Sequence, residues 1–228
     1  MIGSAVRLGV PALAIAAALS VCTASASAAL ISGTDVLGSF TGSLTYNATT
    51  NTSATLTVAL TNTSPLANGG YITAFVLNNP NNLITGVSEG SFPSNFDVLG
   101  LANNSIRGTP YGQFDFGAST GGGFQGGGNP SQGIGVGSPG TFVFNLTGTN
   151  LTTLTDTSFL NALSTGTGAG GGYQDLVVRF RGFDGGGSDK VPNTATPAPV
   201  PEPASLALLG TALLGLGIMR RRRQTEAV

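Results

Sequence analysis

Ala54-Thr-Leu-Thr-Val-Ala-Leu-Thr61 sets Leu56, Val58 and Leu60 at every second position, with small or hydroxylated residues between them. Successive side chains of a strand point to opposite faces, so this octet has one apolar face and one polar face. The same period recurs outward from it, in Leu44 and Tyr46 and in Phe142, Phe144 and Leu146. Leu176, Val178 and Phe180 line one face of a further strand whose other face carries Arg179 and Arg181. Tyr71 to Leu77 is apolar enough to be buried on both faces. Turn chemistry separates these runs: Asn47-Ala-Thr-Thr-Asn51, Asn62-Thr-Ser-Pro65, Asn68-Gly-Gly70 and Asn78-Asn-Pro-Asn-Asn82. Many short strands with Asn, Gly and Pro turns predict an all-β fold, an antiparallel β-sandwich of jelly-roll-like form. Asp156 to Leu163, capped by Thr155 or Asp156, is the helical candidate of the body. Gly-rich Gly117 to Gly140 reads as a long mobile loop at one end, and the absence of a fixed-period repeat excludes a solenoid.

The predicted body, residues 30–191, carries four cations (Arg107, Arg179, Arg181, Lys190) against eight acids, a net charge near −4. A nucleic-acid partner needs a basic footprint and is excluded on that ground. Low charge with much Thr, Asn, Ser and Gly resembles a disordered composition, but the recurring Phe, Leu, Val and Ile supply a core. The chain has no histidine, which removes the commonest general base, the Ser-His-Asp triad and the usual zinc ligand. Carboxylate chemistry of the glycosidase kind remains open to Asp97, Asp115, Asp175, Asp184 and Asp189, yet each sits in turn-like or strand-edge sequence that suits a surface Asp. The body is therefore expected to be non-enzymatic. Phe183-Asp-Gly-Gly-Gly-Ser-Asp-Lys190 offers Asp184 and Asp189 as a candidate metal site, since calcium prefers oxygen ligands of this sort in an exported protein. It lacks EF-hand spacing and places Lys190 beside the acids, so a glycine-rich connector is the plainer reading. Gly121 to Gly128 is no phosphate loop, lacking the Lys-Ser/Thr that follows one. Asn-x-Ser/Thr triplets at Asn47, Asn51, Asn62, Asn103, Asn145 and Asn150 describe a surface of hydroxyls and amides, suited to hydration or polysaccharide. Sugar rings stack on aromatic faces; with no Trp, the glycine-flanked Tyr111 and Tyr173 are the candidate ligand-binding residues.

The two ends carry a different signal. Residues 1–29 combine Arg7, an apolar stretch from Leu8 to Val21 and a small-residue run in which Ala26 and Ala28 form an A-x-A cleavage site. This is the pattern of a secretory signal peptide, predicted as a helix and removed by signal peptidase. Leu19-Ser-Val-Cys22 is a poor lipobox because Val21 stands where a small residue is expected, so the only cysteine leaves with the signal peptide. At the other end, a Pro/Thr/Ala linker over residues 192–200 leads to Val200-Pro201-Glu202-Pro203. The prolines hold Glu202 in an open, extended segment. Ala204 to Met219 is an uncharged, mostly apolar stretch, about 24 Å long as a helix against a hydrocarbon core of about 30 Å, and the arginines beyond it can snorkel. It is predicted as a single C-terminal transmembrane helix, followed by the basic stop Arg220, Arg221, Arg222 and Arg223 and a tail over 224–228. An arginine cluster after the helix stays cytoplasmic, which puts residues 30–200 outside.

Residues 201–223 resemble the PEP-CTERM sorting domain: a Pro-Glu-Pro motif, a transmembrane helix and an arginine cluster, in that order. The resemblance covers only this tail. It implies an exosortase, a membrane cysteine transpeptidase, as processing partner, with transient anchoring in the inner membrane. It also implies a Gram-negative bacterium that makes exopolysaccharide, and a destination at the cell surface or in the extracellular matrix. The expected function is an exported surface or biofilm-matrix protein whose body is structural or adhesive. The alternative is a carbohydrate-binding or carbohydrate-active β-sandwich module.

Overall fold

The computed structural model describes residues 28–195 apart from 102 and 126. The predicted signal-peptide helix, the transmembrane helix, the sorting motif (Val200, Pro201, Glu202, Pro203), the basic stop and Ala26 lie outside the described residues. Ala28 is the exposed first residue, directly before the first strand. Among the described residues no helix is long and apolar enough to cross a membrane.

The apolar–polar alternation folds into strands β1 (Ala29–Thr34), β2 (Ser39–Ala48), β3 (Ser53–Asn62), β4 (Gly69–Leu77), β5 (Ile84–Ser91), β6 (Asp97–Leu99) and β7 (Ile106–Arg107). They continue with β8 (Gln113–Phe114), β9 (Phe116–Ser119), β10 (Ile134–Gly135), β11 (Pro139–Gly148), β12 (Leu176–Phe183) and β13 (Ser188–Pro192), with one α-helix, α1 (Asp156–Asn161). Every pairing between them is antiparallel. The first sheet runs β1-β2-β3-β11-β5; the second runs β13-β12-β4-β9-β6 with β10 beside β4; β7 and β8 form a small separate ribbon.

The sheets pack face to face. Ala54, Leu56, Val58 and Leu60 of β3 are buried, while the residues between them are only half-buried. Across the sandwich, Phe75 of β4 meets Phe142 and Phe144 of β11 edge to face at centroid distances of 4.7 and 6.0 Å. Edge-to-face rings set a positive rim against a negative face, which adds to the area they bury. The second sheet is covered on both sides, and so Ile72 to Leu77 is buried without a break. On its outer face Ala74, Val76 and Val177 join Leu99, Phe114 and Phe124 in a second apolar cluster, under the β7–β8 ribbon and the loop that carries Phe124.

Three expectations need correction. The first three strands are consecutive neighbours, but β4 crosses to the other sheet instead of returning beside β1, as the fourth strand of a Greek key does. The helix begins where Thr155 predicts, with Thr155 N donating to Ser158 Oγ at 3.0 Å, but it stops at Asn161. Ala162 turns extended (φ −84°, ψ 101°) and leaves Leu163 exposed. Gly117–Gly140 is not one loop: it holds most of β9, a 3-10 turn at Pro130–Gln132, β10 and the start of β11. Glycine here marks close approach. A Cβ on Gly117 would stand 2.0 Å from the Phe75 carbonyl oxygen, and one on Gly121 would stand 2.3 Å from the Gly127 carbonyl carbon. Backbone bonding also continues past β13, with Asn193 N donating to Leu176 O and Thr194 N to Ser32 O.

A candidate charged cleft on the outer face

The β12–β13 register sets Arg179 directly opposite Lys190. On β12, Leu176, Val178 and Phe180 enter the core between the sheets, so Val177, Arg179 and Arg181 face outward, under the covering layer. Arg179 is nevertheless 8 % exposed. The turn at Thr109–Tyr111, together with Gln125, overhangs this rung and leaves a cleft of about 430 Å³, with Asp35, Ser188 and Asp189 on its rim. Lys190 Nζ donates to Thr109 O and, at 2.9 Å, to Gln125 Oε1, and it stands 5.9 Å from the centroid of the Phe124 ring. Arg181 Nη1 donates to Gly127 O, while Gln125 Nε2 donates to Arg107 O. Arg107 lines a neighbouring pocket with Gly122 to Gln125, so the body's four cations gather around one glycine-rich segment.

Electrostatics reflect that crowding. Burial, then the neighbouring Arg181, pull the Arg179 guanidinium below its ordinary pKa. Burial, then Arg179, do the same to the Lys190 ammonium. Burial, then Asp35 and Asp189, hold the Tyr111 phenol above its usual value, keeping it a neutral hydrogen-bond donor. Asp189 is occupied elsewhere: Oδ2 accepts from Leu37 N and Gly38 N at 2.9 and 3.0 Å, and Oδ1 from Lys190 N at 2.9 Å. Its carboxylate pins the turn between β1 and β2.

Of the residues singled out in the sequence, Tyr111 and Asp189 lie in this cleft. Tyr173 does not line it. It is 50 % exposed, donates from its hydroxyl to Gly166 O at 3.2 Å, and borders the same turn at Gly112. Asp184 is exposed in the β12–β13 turn beside Gly69, so the two candidate calcium ligands keep different neighbours. Among the described residues no group of three His, Cys, Asp or Glu side chains is gathered as a metal site. Asp115 and Asp175 are buried clasps: Asp115 accepts from Asn79 N at 2.7 Å and from Asn104 N, and Asp175 from Leu176 N and Asn193 Nδ2, both at 2.8 Å. Sequence reasoning missed Arg179, Lys190 and Gln125 as a group, reading Arg179 as the polar face of a strand. The usable signal was the turn at Asp184-Gly185, about which Arg179 and Lys190 are symmetric.

No curated protein and no solved structure matches the chain. The match lies in the tail, where residues 199–223 fit the family model of the PEP-CTERM protein-sorting motif. Pro201-Glu202-Pro203, the apolar segment and the four arginines are therefore a sorting signal for exosortase, one that implies export and membrane-associated processing, and the chain is a PEP-CTERM domain-containing protein.

Proposed function

We propose that the body is a non-catalytic, structural or adhesive module of the cell surface or exopolysaccharide matrix, released or transferred there when its tail is processed. The observation that carries this is the position of the sorting motif. It begins at residue 199, four residues beyond Ala195, whose backbone still bonds to Asn193 Oδ1. Cutting at the motif would remove the apolar segment and the arginines and leave every described strand intact. The non-catalytic part rests on the chemistry of the acids. A glycosidase needs two carboxyl groups flanking open space, whereas Asp115, Asp175 and Asp189 are engaged by backbone and amide donors of the fold. Signal peptidase at Ala26–Ala28 and transient residence in the inner membrane complete the proposed route.

Mass spectrometry of the protein from cell-surface and matrix fractions tests the route. Peptides ending near Pro203 and none spanning Pro203–Ala204 are expected; an intact spanning peptide in most molecules overturns it. The second reading, a carbohydrate-active module, draws on the cleft that contains Tyr111. Incubation with polysaccharide decides between them: no new reducing ends are expected, and their release would replace the structural reading with the enzymatic one.

A further inference from the structure

We propose that the cleft between the Arg179–Lys190 rung and the Thr109–Tyr111 turn is a binding site for a carboxylate-bearing sugar, a uronate unit of an acidic polysaccharide. The inference rests on the reading of the body as a matrix protein and names the ligand chemistry that reading leaves open.

Three observations carry it. Arg179 is more than nine-tenths buried in the cleft wall, and its Nε has no hydrogen-bond partner among the described residues. A buried N–H of a charged group without an acceptor is costly, because its desolvation is not offset. Next, Arg179 and Lys190 are direct cross-strand partners. Like charges in that relation repel, and an anion bound between them would turn the repulsion into two attractions. Finally, the fold supplies these cations with neutral acceptors only in the contacts it does make: Thr109 O and Gln125 Oε1 for Lys190, and Gly127 O for Arg181. The rim acids do not take the role. Asp189 is spent on three backbone N–H groups, and Asp35 Oδ1 accepts from Val36 N at 2.8 Å.

A carboxylate matches the planar fork of arginine with two parallel hydrogen bonds, which favours it as the anionic group. The cleft of about 430 Å³ is far larger than a bare ion needs and is of a size to take a sugar unit. The Tyr111 ring offers a face for the pyranose, while Thr109, Gln125 and Ser188 supply groups for its hydroxyls.

Calorimetry on the full-length protein in detergent micelles tests this, with tetragalacturonate, neutral maltotetraose and inorganic phosphate as probes. Tetragalacturonate should bind, and bind more weakly as salt rises. Arg179→Leu should weaken it about 10- to 100-fold, the range of a hydrogen bond to a charged group. Arg179→Lys, which keeps the charge and loses the fork, should also weaken it. Arg179 is buried, so Tyr111→Ala at the half-buried rim is the second variant, expected to lose affinity with an unchanged circular dichroism spectrum. Equal affinity for maltotetraose overturns the uronate assignment and leaves a neutral-sugar site. Phosphate binding as tight as tetragalacturonate overturns it in favour of a simple anion site. No binding of any probe overturns it outright, while the matrix reading is judged separately by whether the protein still fractionates with exopolysaccharide.

Discussion

Phe144 shows how much one side chain contributes to this sandwich. It is fully buried, and its ring meets those of Phe75, Phe92 and Phe116 at 6.0, 4.8 and 5.7 Å. Phe144→Ala should cost about 3–5 kcal/mol, read as a lower urea midpoint with an unchanged slope. Asp175 makes a pH-dependent contribution. Burial raises its pKa, with Asn193 and the Leu176 N–H opposing. The folded state then holds the proton more tightly than the unfolded chain. Its contribution is full below the unfolded value, about 3.9, and is lost as pH rises through the folded value. Thermal unfolding between pH 3 and 7 should show the wild type losing ground to Asp175→Asn as pH rises; a constant difference contradicts the assignment. Other polar residues were legible only by type. Asn62, Asn78 and Asn79 read as turn formers, yet all three are buried ties. Asn62 Nδ2 donates to Gly70 O and Ile134 O, Asn78 Nδ2 to Ala162 O, and Asn79 bonds both backbone groups of Ile84. An amide that closes a turn and one that joins distant segments have the same local sequence.

At the level of elements, β3, β11 and β12 follow from alternation alone, because one side chain in two must leave water. β4 follows from the failure of alternation, since a strand covered on both faces has no polar side. What hid β9 was its glycine, which composition assigns to a loop. A side chain at Gly117 would drive β9 away from β4, so Gly117→Val should cost about 1–3 kcal/mol. Faster amide exchange confined to Phe116–Ser119 and its partners on β4 would identify the cause. Unchanged protection there would mean that the two strands can part without loss.

On the scale of the whole molecule, the tail and the body are separate by their chemistry. The last described bonds that close the body are those of Asn193, Thr194 and Ala195. Truncation after Val200 should therefore leave the unfolding midpoint of the body within about 3 °C, the shift that roughly 1 kcal/mol produces at this size. A larger drop would show that the tail packs on the sandwich. The body's charge is likewise divided: an acidic surface overall, with its four cations collected on one side of the second sheet.

Sequence alone determined the all-β class, the alternating strands of the core and the sorting signal. Alternation reports burial one residue at a time, and a linear motif is read by its order and spacing. The tertiary structure decided the rest: which strands are neighbours, that the second sheet has two covered faces, and that Arg179 and Lys190 share a cross-strand rung beneath Tyr111. Those are relations between residues far apart in the chain. They are set by strand register and by close approach at glycines, neither of which leaves a mark on any single stretch.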